Sequence, residues 1–163
     1  MRIHFFCLYA IINAQEKNMQ IIDYDKRFDD NIIALVARAK RAIGKTKPSI
    51  DEDLFDIQSN YIDKGDKFFL GIDDEGNLIA VIGYNILDKD TAVLHRFYVK
   101  PELKRQGLGA MMLNQVEKDL IGRNVKNVIL HLGEYEHYFE SYSFYAKHGY
   151  TFYEDRRMIK KLI

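Results

Sequence analysis

Cysteine occurs once in the 163 residues, at Cys7. That excludes an intrachain disulfide and a cysteine-rich metal site, and it makes a reducing, cytoplasmic setting the simplest expectation. Excess charge is also missing, since 24 lysines and arginines balance 24 aspartates and glutamates. A neutral chain has no global attraction for nucleic acid or for a membrane surface, so neither partner is expected and any anion must be bound locally. None of the five histidines belongs to an H-E-x-x-H pair, and His131 and His137 stand six positions apart, so no metal is expected. Long apolar runs are lacking too. The stretch "MRIHFFCLYAIINAQ" stays apolar only to Ile12, too short to span a bilayer, and the single positive charge ahead of it is weak support for a signal peptide. Residues 1–18 read as an extension, and residues 19–163 as one domain that opens at Met19.

After Met19, "QIIDYD" has the pattern of a strand. Helical spacing then puts Ile32, Leu35, Val36, Ala39 and Ile43 on one face, with Gly44 and Pro48 as the stop. "SIDE", Ser49 to Glu52, matches a capping box, and Leu54, Ile57, Tyr61 and Ile62 form a second apolar helical face closed by Gly65. The period then changes to that of strands in "KFFLGI", "LIAVIGYNIL" and "AVLHRFYV", whose short turn-rich connections favour an antiparallel meander. Helical spacing returns from Leu108 through Met111, Met112, Val116 and Leu120 to Gly122. "NVILHL" is a strand, "YFESYSFYAKHG" a helix ending at Gly149, and "MIKKLI" a last strand. The expected fold class is α/β in the α+β sense: a single domain with a central, mostly antiparallel mixed sheet flanked by helices.

Between a strand and a helix lies "VKPELKRQGLGAMML". Gly107 and Gly109 can adopt backbone conformations that residues with a β-carbon resist, letting main-chain N–H groups close to a ligand. The helix start behind them adds aligned donors and positive dipole. Together these favour phosphate, with a purely structural turn as the plain alternative. A Walker A loop is excluded because no Gly-Lys-Ser/Thr follows. The dinucleotide fingerprint fails because Met112 stands where its third glycine belongs.

The same stretch resembles the acyl-coenzyme-A loop of the GNAT superfamily of N-acetyltransferases, Gln/Arg-x-x-Gly-x-Gly/Ala after a strand ending in valine. The pattern falls on Lys104, Arg105, Gln106, Gly107, Leu108 and Gly109. Lysine at its first position keeps charge but not bidentate geometry, and Arg105 replaces a frequent glycine. Downstream, "FYAKHGY", Phe144 to Tyr150, resembles the Phe/Leu-Tyr-x-x-x-Gly-Phe segment of that family. Tyr138 and Ser141 stand where asparagine and alanine are frequent.

The resemblance implies acetyl-coenzyme A as cosubstrate and strands "AVLHRFYV" and "NVILHL" that splay apart around its pantetheine arm. Phe97, Tyr98 and Val99 would hydrogen-bond that arm as an added strand does, and the N–H groups of residues 105 to 110, through Ala110, would carry the pyrophosphate. It implies direct attack by a primary amine of a small molecule or peptide, since no cysteine lies near either motif to carry the acyl group. Tyr145 is carried over as the acid that protonates the departing thiolate, with helix packing as its alternative. His95 is one candidate base, with His131 and Glu134 as the others and a core-edge histidine as the plain alternative. "GEYEHYFESY" is either a pocket for a cationic amine or an ordinary helix surface. A non-catalytic acyl-coenzyme-A sensor or interaction module is the competing function, and a homodimer is left open.

Overall fold

Residues 18–45 and 49–163 are described in the computed structural model. The expected N-terminal extension, up to residue 17, lies outside the described residues, as does Pro48. Strand β1 (Met19–Asp23) leads into helix α1 (Asp29–Ala42), which carries Asp29 and Asp30 in its first turn and Lys40 and Arg41 in its last, each sign complementing the helix dipole. Ile32, Leu35, Val36 and Ala39 are buried as the spacing predicts. Gly44 at φ +89° turns the chain out of the helix.

The second helix expected after "SIDE" is broken into pieces: a 3₁₀ turn at Glu52–Phe55, the single-turn α2 (Ile57–Asn60) and another 3₁₀ turn at Ile62–Lys64. The capping box does not form. The first turn is capped by Asp51 without a side-chain hydrogen bond, because that carboxylate is engaged by Lys40 Nζ at 2.7 Å. Leu54, Ile57 and Tyr61 are nevertheless buried, so the apolar face survives although the regular helix does not.

Strands β2 (Lys67–Asp73), β3 (Leu78–Ile86) and β4 (Thr91–Val99) follow, then α3 (Leu108–Gly122), β5 (Asn127–His131), α4 (Tyr135–Lys147), β6 (Thr151–Glu154) and β7 (Arg157–Lys161). They form a seven-stranded sheet in the order β1-β2-β3-β4-β5-β7-β6, antiparallel throughout except for β4–β5. β6 was not expected from the sequence. All four of its residues are exposed, so it carries none of the alternation by which a half-buried strand is recognised.

Each face of the sheet has its own core. Phe68, Leu70, Ile72 and Val81 pack with Ile32, Leu35, Val36 and Tyr61, while Phe69, Ile82, Tyr84, Leu94 and Leu130 pack with α3 and with Tyr142 and Tyr145 of α4. Strands β2 and β3 are buried on both sides, which explains their nearly continuous apolar runs. In α3 the buried residues are Leu108, Met112, Leu113, Val116 and Leu120. Met111 points to solvent, 43% exposed.

Two features of β4 position the site. Its pairing with β5 covers only Thr91–Val93 against Asn127–Ile129, so the strands part beyond Val93. It also carries a bulge: Val81 pairs with Tyr98 and Gly83 with His95, leaving Arg96 and Phe97 together opposite Ile82, with Arg96 at φ +54°. The extra residue shifts the alternation by one. Val93, His95, Phe97 and Val99 therefore do not share a face, as uninterrupted alternation would require. His95 meets Tyr61 of the α1-side core, whereas Phe97 and Val99 pack on the α3-side core.

Candidate active site

β4 ends in a 3₁₀ turn at Pro101–Leu103, and the chain reaches α3 through Lys104–Gly107. Arg105 and Gly107 have φ of +63° and +81°, which curls the loop into a concave row of amides. Gly107 caps α3 without a side-chain hydrogen bond. The N–H groups of Leu108, Gly109 and Ala110 therefore belong to the first helical turn, which has no intrahelical acceptors. Among the described residues the amides of Arg105, Gln106 and Gly107 make no hydrogen bond either. Six consecutive N–H groups are thus without an acceptor among the described residues at the positive end of a 15-residue helix, the kind of position that suits an anion. A β-carbon on Gly109 would meet the rings of Phe144 at 3.3 Å and Phe97 at 3.5 Å, so glycine here answers to ring packing as well as to ligand approach.

Lys104 Nζ and Arg105 Nη2 do not simply extend into solvent. Both reach Glu140 of α4, at 3.2 and 3.0 Å, and the hydrogen bond from Lys104 is the main reason the Glu140 carboxyl lies below its ordinary range. Beside them a cavity of about 480 Å³ opens between the end of α1 and the start of α4, lined by Glu136, His137 and Phe139 among others. His137 Nδ1 lies 2.9 Å from the carbonyl of Ile43 and ties the two helices across it.

Tyr145 is 4% exposed and lies against Phe97, Phe144 and Tyr150, with ring centroids 6.2, 5.4 and 5.2 Å away. Its hydroxyl has no hydrogen-bond partner among the described residues. Burial, and then the neighbouring Tyr98, push its phenol well above the ordinary tyrosine value. It is therefore a protonated donor at neutral pH. Tyr98, which packs against the α1-side core, is raised too, by burial first and then by Tyr138 and Asp51.

His95 stands on the other face. Its ring centroid is 6.4 Å from that of Tyr61, and it borders a cleft of about 590 Å³ shared with Lys64, Asp66, Asn85 and Arg123. Burial, and then the positive charge of Arg96, hold its pKa below the usual histidine value, so the imidazole is neutral at pH 7. His131 is exposed at the end of β5, and Glu134 is bound to Arg156. Neither shares a hydrogen bond, ion pair or ring contact with Tyr145 or His95 among the described residues. Of the remaining acids of "GEYEHYFESY", Glu136 lies 3.4 Å from His137 Nε2 and Glu140 is bound to the loop, which weighs against a pocket for a cationic amine built from that run.

Sequence reasoning missed a charged group behind the bulge. Arg96 grips Asp53 and Asp51, Tyr61 donates to Asp53, and Lys40 holds Asp51. No local pattern signals it, because its members come together only when α1, the 49–65 segment and β4 pack.

A mixed sheet parted between its fourth and fifth strands, with an amide cradle at the foot of the following helix, has the fold of the acetyltransferases. An acetyltransferase of the GNAT family from Staphylococcus aureus Mu50 superposes with a TM-score of 0.80 at 20% identity, over 90% of this chain and 100% of that one. An acetyltransferase from Streptococcus agalactiae 2603 gives 0.77 at 18% identity, over 88% and 98%. The PaiA N-acetyltransferase of Thermoplasma acidophilum, solved in complex with coenzyme A, gives 0.72 at 20% identity, over 88% and 99%. A search of curated protein sequences finds no match. The chain belongs to the GNAT acetyltransferase family, whose sequence model, "Acetyltransferase (GNAT) family", matches residues 30–150. Among the described residues no group of histidine, cysteine, aspartate or glutamate is arranged to hold a metal ion, and no helix is long and apolar enough to cross a membrane.

Proposed function

We propose that the protein is an N-acetyltransferase that moves an acetyl group from acetyl-coenzyme A to a primary amine by direct attack. The observation that carries this reading is the row of amides at residues 105–110, which make no hydrogen bond among the described residues, together with the packed ring of the buried Tyr145. The amides bind pyrophosphate, and Lys104, Arg105 and Gln106 border it. The edge of β4 at Phe97, Tyr98 and Val99, which β5 does not cover, offers hydrogen bonds to the pantetheine amides. Coenzyme A supplies the thioester.

Acid and base stand on opposite faces of the sheet. His95, neutral at pH 7, takes the proton from the attacking amine directly or through water. The amine nitrogen bonds to the thioester carbonyl carbon, the carbon–sulfur bond breaks, and the hydroxyl proton of Tyr145 passes to the departing sulfur. Amine and thiolate thus exchange protons with different residues, and no acyl-enzyme is needed. The acceptor is a small molecule or a peptide amine and the setting cytoplasmic. The function resides in residues 19–163, so removal of residues 1–18 should leave coenzyme A affinity unchanged in calorimetry.

The deciding experiment incubates the protein with acetyl-coenzyme A and a panel of amines while free thiol is followed. Amine-dependent thiol release supports the reading. Binding of acetyl-coenzyme A without turnover of any amine favours the competing sensor.

A further inference from the structure

We propose that Asp53 is a positioning residue for cofactor capture, acting through Arg96 to hold the β4 bulge in the shape that presents Phe97–Val99 to the pantetheine arm. The inference rests on the acyltransferase reading and concerns the same site. Arg96 is the bulge residue at φ +54°, a conformation that glycine takes freely and that costs a residue with a β-carbon roughly a factor of ten in population. Something must offset that cost, and the geometry supplies it. Arg96 Nε lies 3.0 Å from each oxygen of the Asp53 carboxylate, Nη2 lies 2.8 Å from Asp53 Oδ1, and Nη1 lies 3.3 Å from Asp51 Oδ1.

The clamp is itself anchored. The hydroxyl of Tyr61, a side chain 1% exposed, donates to Asp53. Asp51 is held by Lys40 Nζ at 2.7 Å, and the same ammonium reaches the Ser49 carbonyl at 2.7 Å. Two acids face two bases, which is the condition for keeping such a group partly buried. Arginine reaches Asp53 across 43 positions of sequence, so the α1 layer fixes the shape of a distant strand edge.

The consequence falls on the residues after the bulge. Flattening it would slip the alternation by one position and turn Phe97 and Tyr98 to the wrong faces, taking Phe97 away from Tyr145 and re-aiming the free edge of β4. The clamp also commits both aspartates to cations, which leaves neither as a free base for the amine.

Two double variants separate this role from charge balance and stability. Asp53→Ala/Arg96→Gly and Asp53→Ala/Arg96→Ala remove the same ion pair, but only glycine accepts φ +54° without the clamp. Calorimetry with coenzyme A, well below the melting temperature, should find the glycine variant within about threefold of wild type and the alanine variant about tenfold weaker. Should the Asp53→Ala background not fold, Asp53→Asn, which keeps a partner for Tyr61, makes the same comparison. Equal affinities for the two Arg96 substitutions, with a wild type that binds coenzyme A, would overturn the inference alone. A wild type that does not bind coenzyme A would overturn the acyltransferase reading and this inference with it.

Discussion

The Lys104–Ala110 loop and the Ser49–Gly65 segment both serve the far half of β4, and they are built on opposite plans. The loop is local: its donors are consecutive, and its shape follows from the positive φ of Arg105 and Gly107 and from the start of α3. The segment works by long-range side-chain contacts, with Asp51 reaching back to Lys40 and Asp53 forward to Arg96. Backbone donors hold their geometry without side-chain ordering, whereas a clamp of four charged side chains carries the entropy of ordering each. A binding surface that must stay invariant is thus made of main chain, and side chains are used where a strand must be bent.

The contrast is tested most severely at Gly109. In Gly109→Val the side chain displaces the Phe144 ring and crowds the cradle, and overpacking costs about 1–3 kcal/mol. Coenzyme A affinity should fall roughly a hundredfold, the loss expected when about two hydrogen bonds from backbone N–H groups to a charged pyrophosphate are blocked. A folded variant with wild-type affinity in calorimetry would move the cradle elsewhere.

Next in size is Tyr145→Phe, which keeps the ring packing and removes the proton donor. General acid catalysis is worth about 10²–10⁴-fold, and because a thiolate leaves readily the lower end is expected in kcat, with cofactor affinity nearly unchanged. If kcat is unaltered while chemistry limits the rate, Tyr145 is a packing residue and water the donor.

His95 sharpens the comparison through pH. Its active form as a base is the neutral one, so kcat/KM should rise with pH through its pKa and level off above it. Because burial lowers that pKa, the midpoint of the rise should lie below the ordinary histidine value of about 6.5. His95→Gln should abolish the rise, and a profile that keeps it assigns the base to another group.

The smallest effect is expected for Lys104→Ala. Its ion pair with Glu140 is partly exposed, where such pairs are worth about 0–1 kcal/mol, so coenzyme A affinity should weaken by no more than about fivefold. A loss as large as that of Gly109→Val would show that side-chain charge, not backbone, carries the loop.

The same division explains what could be read from the sequence. The loop, the three meander strands and the two long apolar helices were legible because periodicity and glycine spacing are local signals. Arg96 was not, since nothing in "LHRFYV" distinguishes a straight strand from a bulged one, and uninterrupted alternation would put His95 and Phe97 on one face. "SIDE" misled for a related reason. Its residues suit a capping box, but the turn begins two residues later with Asp51 as its N-cap, and that carboxylate is drawn to Lys40 and Arg96, partners that no local pattern reveals. β6, exposed along its whole length, had no burial pattern to reveal it.

Glu140 has one more effect, on ionic strength. Lys104 and Arg105 share its carboxylate before any polyanion arrives, so binding there exchanges the protein's own anion for the ligand's and releases few bound counterions. Affinity for coenzyme A should therefore decline less steeply with added salt than two uncovered cations would dictate, and Glu140→Gln should restore the steeper dependence.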